Sequence, residues 1–259
     1  MKIKKHYLLS ILIVLGVIFY TFIHTHSLDV THHQITLGTG TNHLLIAHIS
    51  DLHTKGLNSI EQQMLNSLKK HKPDIIFITG DLANPNGSLN GYKEVLSQLN
   101  APKGIFFVNG NWEYWAPIDE IQTILDKYNI TNLTNKTFKL NNELILVGYD
   151  DEQVGKPIFV NNLEELHQQY TVISLFHSPH FFQHLSDKTH LAFAGHTHGG
   201  QIRIPWIGSL WLPAGSGKYD QGWWEINEAK MYVSRGIGTS LIPVRFNCSP
   251  ELAFIKITY

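Results

Sequence analysis

The stretch Leu44-Leu45-Ile46-Ala47-His48-Ile49-Ser50-Asp51-Leu52-His53 decides the reading of this chain. Its first six residues are almost continuously apolar, and so short a run reads as a β-strand buried on both faces. The strand delivers Asp51 and His53 at its carboxyl end, where open α/β sheets carry their ligands. Residues 60–71 follow with Ile60, Met64, Leu65 and Leu68 at helical spacing and Pro73 as the stop. Asp74-Ile75-Ile76-Phe77-Ile78-Thr79 then repeats the strand pattern and ends on Gly80-Asp81. A strand, a helix and a second buried strand make a unit that is most simply parallel.

The same cycle continues outward. Residues 92–99 read as a helix and residues 104–108 as a strand with Asn109-Gly110-Asn111-Trp112-Glu113 at its tip. Asp51, His53, Asp81 and Asn111 therefore line one edge of a sheet. Residues 117–128 read as another helix, and residues 144–148 as a strand opening a second sheet. Residues 172–176 deliver His177, and residues 191–194 deliver Gly195-His196-Thr197-His198-Gly199-Gly200-Gln201. Beyond Gln201 the apolar runs are short and broken by Gly and Pro, which predicts a mostly antiparallel second half packed on the first sheet, with helices outside.

A chain of 259 residues has room for one membrane anchor and one large domain with a well-buried core. A net charge of -1 offers no basic surface for nucleic acid. The single cysteine, Cys248, rules out an internal disulfide framework. Lys2, Lys4 and Lys5 precede a charge-free apolar run from Tyr7 to Ile23. At 1.5 Å per residue that run reaches about 26 Å, close to the hydrocarbon thickness of roughly 30 Å. His24-Thr25-His26-Ser27 contains no small-x-small cleavage site, so an uncleaved anchor is expected over residues 1–24. No Lys or Arg follows until Lys55, which places the domain outside, on the outer face of a bacterial inner membrane. Residues 25–43 are expected to be a polar, solvated tether despite His26, His32 and His33, and residues 44–259 one large folded domain.

Aspartate, histidine and asparagine supply hard oxygen and borderline nitrogen donors. Their order suggests two metal ions held side by side, the arrangement that hydrolyses phosphate esters. Asp81, following a strand-end glycine, is the best bridging carboxylate. The ordered series Asp51-x-His53, Gly80-Asp81, Gly110-Asn111, His177 and Gly195-His196-x-His198 resembles the calcineurin-like metallophosphoesterase superfamily over residues 44–259. Gly195-His196-Thr197-His198-Gly199-Gly200-Gln201 and Ser234-Arg235-Gly236-Ile237-Gly238-Thr239-Ser240 look like signatures of its membrane-associated branch, which includes UDP-2,3-diacylglucosamine pyrophosphatase-like enzymes. The resemblance implies a four-layer α/β/β/α sandwich of two mixed sheets. It also implies Asp51, His53 and His198 on one metal, Asn111, His177 and His196 on the other, and Asp81 between them, with Asp81, Asn111 and His196 closest to the chemistry. The mixed ligands admit Mn, Fe or Zn. His48, His180 and His184 match no motif position and are expected to be structural.

Relatives of this kind usually carry Gly-Asn-His followed by an acidic residue, where this chain has Gly110-Asn111-Trp112-Glu113. The usual histidine steadies the transition state or protonates the leaving oxygen, and Trp112 cannot ionise. A good leaving group needs less help, which favours a phosphoanhydride such as UDP-2,3-diacylglucosamine in lipid A synthesis. All the tryptophans fall in two regions, Trp112 and Trp115, then Trp206, Trp211, Trp223 and Trp224, a distribution suited to an amphiphile or to ordinary packing. Arg235 and Arg245 are candidate phosphate clamps. The expectation is a membrane-anchored phosphoesterase acting on a phosphorylated, lipid-linked substrate through a hydroxide activated by two metals. Its rivals are the lipid A hydrolase and a catalytically silent metal-binding scaffold.

Overall fold

The computed structural model describes residues 2–82, 84 and 89–259. The side chains of Lys2, Lys4 and Lys5, which carry the expected charge bias, lie outside that description. Helix α1 (Lys2–His26) leads into strands β1 (Asp29–Thr36) and β2 (His43–Ile49). Helix α2 (Ser59–His71), β3 (Ile75–Thr79), α3 (Leu89–Leu96) and β4 (Ile105–Val108) follow. Next come α4 (Ile118–Lys127), β5 (Ile130–Asn132), β6 (Lys136–Lys139), β7 (Leu144–Gly148) and α5 (Leu163–Gln169). Strands β8 (Thr171–Leu175) and β9 (Leu191–Ala194) precede a small hairpin of β10 (Arg203–Ile204) and β11 (Gly208–Ser209). The chain ends through β12 (Gly222–Ile226), β13 (Ala229–Val233) and β14 (Glu251–Thr258).

Two six-stranded mixed sheets result, ordered β1-β14-β2-β3-β4-β5 and β12-β13-β9-β8-β7-β6. Strands β2 to β5 run parallel, as do β7, β8, β9 and β13. Alternation along a strand sorts side chains between two faces. In β3, Ile75 and Phe77 meet Leu146, Ile173 and Phe193 of the second sheet, while Ile76 and Ile78 meet Met64, Leu65 and Val95 of the helices. Phe181, Phe182 and Leu163 cover the far face of the second sheet, completing the α/β/β/α layering. Helix α2 starts where the Asn58 side chain accepts the Ile60 N–H and Glu61 accepts the Asn58 N–H. It stops at Lys72, whose φ of 49° is left-handed.

Two expectations are corrected. Residues 29–36 are not a solvated tether but β1, paired in parallel with β14 throughout. Without it β14, whose residues 251–255 are all buried, would leave a row of backbone groups without partners. Nor do residues 201–259 form one antiparallel half. Strands β12 and β13 extend the second sheet, with β13 parallel to β9, while β14 crosses back between β1 and β2. An apolar strand such as β14 must be covered on both faces, and an interior position in the first sheet provides that cover.

Candidate metal centre

Each polar motif residue follows the carboxyl end of a parallel strand: Asp51 and His53 after β2, Asp81 after β3, Asn111 after β4, His177 after β8, His196 and His198 after β9. Because these strands come from both sheets, the side chains converge over the seam between them. Backbone bonds stitch the loops together. The Asp51 N–H donates to Gly80 O at 3.1 Å, the His53 N–H to Asp81 O at 3.0 Å and the Gly195 N–H to His177 O at 3.0 Å. The His196 N–H donates to the Asp51 carboxylate at 3.0 Å, and the Trp112 N–H to Asp81 Oδ1 at 2.9 Å.

The donors fall into two groups of one carboxylate and two imidazoles, Asp51 with His53 and His198, and Asp81 with His177 and His196. Asn111 Oδ1 joins the second group, 3.2 Å from His177 Nε2 and 3.1 Å from His196 Nδ1. Asp81 Oδ2 lies 3.2 Å from His177 Nε2 and 3.8 Å from His53 Nε2, so it faces both groups. His177 Nδ1 donates to Thr79 O at 2.7 Å and His196 Nε2 to Ala214 O at 2.5 Å. With those protons committed, His177 Nε2 and His196 Nδ1 present lone pairs to each other at 3.1 Å, beside the Asn111 oxygen. Converging acceptors of this kind call for a cation between them, and the residues fit two divalent ions.

The electrostatics agree. Burial opposes a charged His177, yet the Asp81 and Asp51 carboxylates outweigh it and hold its pKa well above the ordinary value, so they draw positive charge to Nε2, a proton that a bound cation would displace. Burial likewise opposes an ionised Asp81, but His177 and His53 pull its pKa down to about 2. Asp51 is pushed up to about 6 by burial, which His177 only partly offsets. Burial and His53 take His198 well below the usual histidine range.

Beside the donors lies a cleft of about 360 Å³ whose walls include Trp112, Trp115, Ile202, Leu210, Trp211 and Leu241. Trp112 packs its ring edge-on to His53 at 4.6 Å and is 5.4 Å from Trp115. Trp223 and Trp224 sit on β12 instead, against Tyr232 and Tyr219. Arg235 does not line the cleft. Its guanidinium bonds Asp29 at 2.8 Å and Glu251 at 3.1 Å, because the buried Glu251 requires a cationic partner. Arg245 is no clamp either. It is fully buried and donates to the carbonyls of Gly236, Gly238 and His198, bracing the loop that carries His198.

Glu113 is the residue whose role the sequence leaves unmarked. Its buried carboxylate accepts the N–H groups of Asp81, Leu82 and Gly110 at 2.8, 2.9 and 2.8 Å, locking two ligand loops together. Its position two residues after Asn111 was the available signal. His48 is a core histidine bonded to Thr79 Oγ1 at 2.8 Å, and His180 and His184 flank Glu152 away from the donors.

The profile of the calcineurin-like phosphoesterase family matches residues 44–200. A metallophosphoesterase of Aquifex aeolicus (strain VF5) is 30% identical over 251 residues, covering 92% of this chain and 95% of its own length. The phosphodiesterase YaeI of Escherichia coli (strain K12) is 31% identical over 73% of this chain and 72% of its own. Among solved structures, TT1561 of Thermus thermophilus superposes with a TM-score of 0.50 at 13% identity, covering 76% of this chain and 91% of that one, a likeness of fold alone.

Proposed function

Because the chain belongs to the calcineurin-like phosphoesterase family and is a metal-dependent phosphoester hydrolase, we propose that it cleaves a phosphate ester or phosphoanhydride of a lipid-linked substrate while anchored in a membrane by α1. The observation that carries this reading is the juxtaposition of the donor cluster with a cleft walled by tryptophan and aliphatic side chains. A charged phosphoryl group belongs over the donors, and an apolar chain belongs along Trp112, Trp211 and Leu241.

Asp51, His53 and His198 would hold one cation, and Asn111, His177 and His196 the other, with Asp81 shared. Two divalent ions, Mn, Fe or Zn, supply an activated water and neutralise charge on the phosphoryl oxygens. The protein's own part is to orient. Thr79 and Ala214 fix the imidazole protons of His177 and His196, and the Trp112 ring packs edge-on against His53. The indole N–H of Trp112 is too weakly acidic to protonate a departing alkoxide, which favours a leaving group that is stable as an anion. UDP-2,3-diacylglucosamine meets that requirement and is the alternative substrate. Its cytoplasmic location conflicts with the outward domain expected from the lysine bias of the N-terminus, under which a simpler lipid phosphoester is favoured.

The test is turnover by the full chain in detergent, stripped of metal and reloaded with Mn²⁺, on a simple monoester, a simple diester and UDP-2,3-diacylglucosamine. Hydrolysis of a simple ester supports the general reading, and preference for the nucleotide-lipid supports the alternative. Inactivity on all three with metal bound would favour the scaffold. Asp81→Ala is expected to lower kcat by at least a thousandfold through loss of the shared carboxylate, and near-normal turnover would defeat the two-metal arrangement.

A further inference from the structure

Helix α1 does not project freely from the domain. Tyr20 Oη donates to Asn247 Oδ1 at 3.3 Å, His24 Nδ1 meets Ser249 Oγ at 2.8 Å and the Arg245 N–H donates to Thr25 Oγ1 at 2.8 Å. Tyr20 also packs on Phe246 at 5.3 Å. These bonds fix the helix against the 245–249 loop, so the depth of one sets the depth of the other. Farther along the helix, Ile13, Gly16 and Val17 share a cleft with Pro205, at the tip of the β10–β11 hairpin.

That position has a consequence for depth. Ile13 to Tyr20 lie between about 5 and 15 Å inside the end of the apolar run at Ile23, at 1.5 Å per residue. The run is barely long enough to cross a core of roughly 30 Å, so it has no length to spare for standing clear of the lipid. Pro205 and the residues beside it therefore sit at the level of the bilayer. Their chemistry suits that level. Residues 204–211 carry no charge, Trp206 is completely exposed, and Ile207, Leu210 and Trp211 are 72%, 59% and 58% exposed. Across the cleft, Leu241 is 74% exposed, again with no charged side chain between residues 236 and 244. Leu210, Trp211 and Leu241 also form the lip of the cleft beside the metal centre. In water such a surface is costly, whereas against lipid it extends the apolar face that α1 already presents.

We propose that the 204–211 hairpin and the 241–242 loop are embedded in the phospholipid bilayer crossed by α1, so that the cleft opens to lipid and takes a bilayer-resident phosphoester laterally. The lateral uptake rests on the phosphoesterase reading; the embedding rests on the membrane anchorage proposed for α1 and on the hairpin.

The experiment reads the two parts separately. Full-length protein with a spin label on Trp206→Cys or Ile207→Cys is reconstituted into phosphatidylethanolamine/phosphatidylglycerol vesicles, with Lys103→Cys, at the opposite ends of the strands, as control; Cys248 is buried. Labels at 206 and 207 are expected to collide with oxygen more often than with a water-soluble nickel chelate, and the label at 103 the reverse. Preference for the nickel chelate at 206 and 207, or shielding from both reagents as in a protein contact, overturns the embedding. The double variant Trp206→Asp/Ile207→Glu, which leaves the cleft lining intact, is expected to hydrolyse a vesicle-embedded phosphoester at least tenfold more slowly and bis-p-nitrophenyl phosphate at the normal rate. An unchanged rate on vesicles overturns lateral uptake. Lipid-buried labels on a metal-loaded protein that hydrolyses nothing would defeat the phosphoesterase reading and leave the embedded surface standing.

Discussion

Asp51, His53, Asp81, His196 and His198 all adopt positive φ, between 45° and 71°, although none is glycine. Such backbone is strained and persists only where neighbours over-determine it, and here it turns five donors toward one point. Glycine supplies the complementary space. A Cβ on Gly110 would overlap the Asp81 carboxylate, and one on Gly195 would overlap Ser50 Oγ. Gly110→Ala is therefore expected to displace Asp81 and reduce Mn²⁺ affinity at least tenfold by isothermal titration, while the far-ultraviolet spectrum stays native. His48 gives a different prediction. Burial drives its pKa from 6.5 down to about 3, with Glu251 pulling weakly the other way. Between those values the unfolded chain takes up a proton that the folded chain refuses, so stability falls as pH is lowered through that window. The slope is up to about 1.4 kcal/mol per pH unit. Urea titrations of His48→Asn between pH 6.5 and 4 are expected to show a correspondingly flatter dependence, and identical slopes would remove His48 as the cause.

At the scale of elements, the sequence revealed the strands that carry ligands and concealed the ones that frame them. β2, β3, β4, β8 and β9 are apolar runs ending in polar motifs, so burial and function are written in adjacent residues. β1 is mostly polar, because only one edge and little of its surface is covered, and its pairing with β14 spans more than two hundred residues. No local signal marks so distant a partner. The site was legible for the same reason as its strands, since Asp51, His53, Asp81, Asn111, His177, His196 and His198 each occupy a loop just after one. Arg235 misled because an arginine signature states a charge without stating its partner. Glu113 stayed silent because the groups it accepts from are backbone N–H groups, which nearly every residue possesses. Removing that carboxylate in Glu113→Ala leaves the N–H groups of Asp81, Leu82 and Gly110 without their acceptor. The expected loss is on the order of 3 to 5 kcal/mol in a denaturant titration, and Glu113→Gln, which keeps an acceptor, is expected to lose less.

For the whole molecule, the donor cluster joins at one end two sheets that also meet through apolar packing and through Tyr232, whose hydroxyl donates to Glu251. Ions bound there stabilise the native state by mass action, about 2.7 kcal/mol for each at a hundred times its Kd. Chelation of both ions, about 5 kcal/mol together, is expected to lower Tm by roughly 10 to 20 °C, and Mn²⁺ to restore it; a Tm indifferent to chelation would exclude tight binding. The position of β14 reaches further, into the time at which this protein can form. Its residues come last in the chain yet lie between β1 and β2, which are the first strands to be made. Ribosomes add about 5 to 20 residues each second, so β1 and β2 wait at least ten seconds or so for the strand that separates them. Through that interval any contact between β1 and β2 must stay open to insertion, so the first sheet is completed only after residues 251–258 are made.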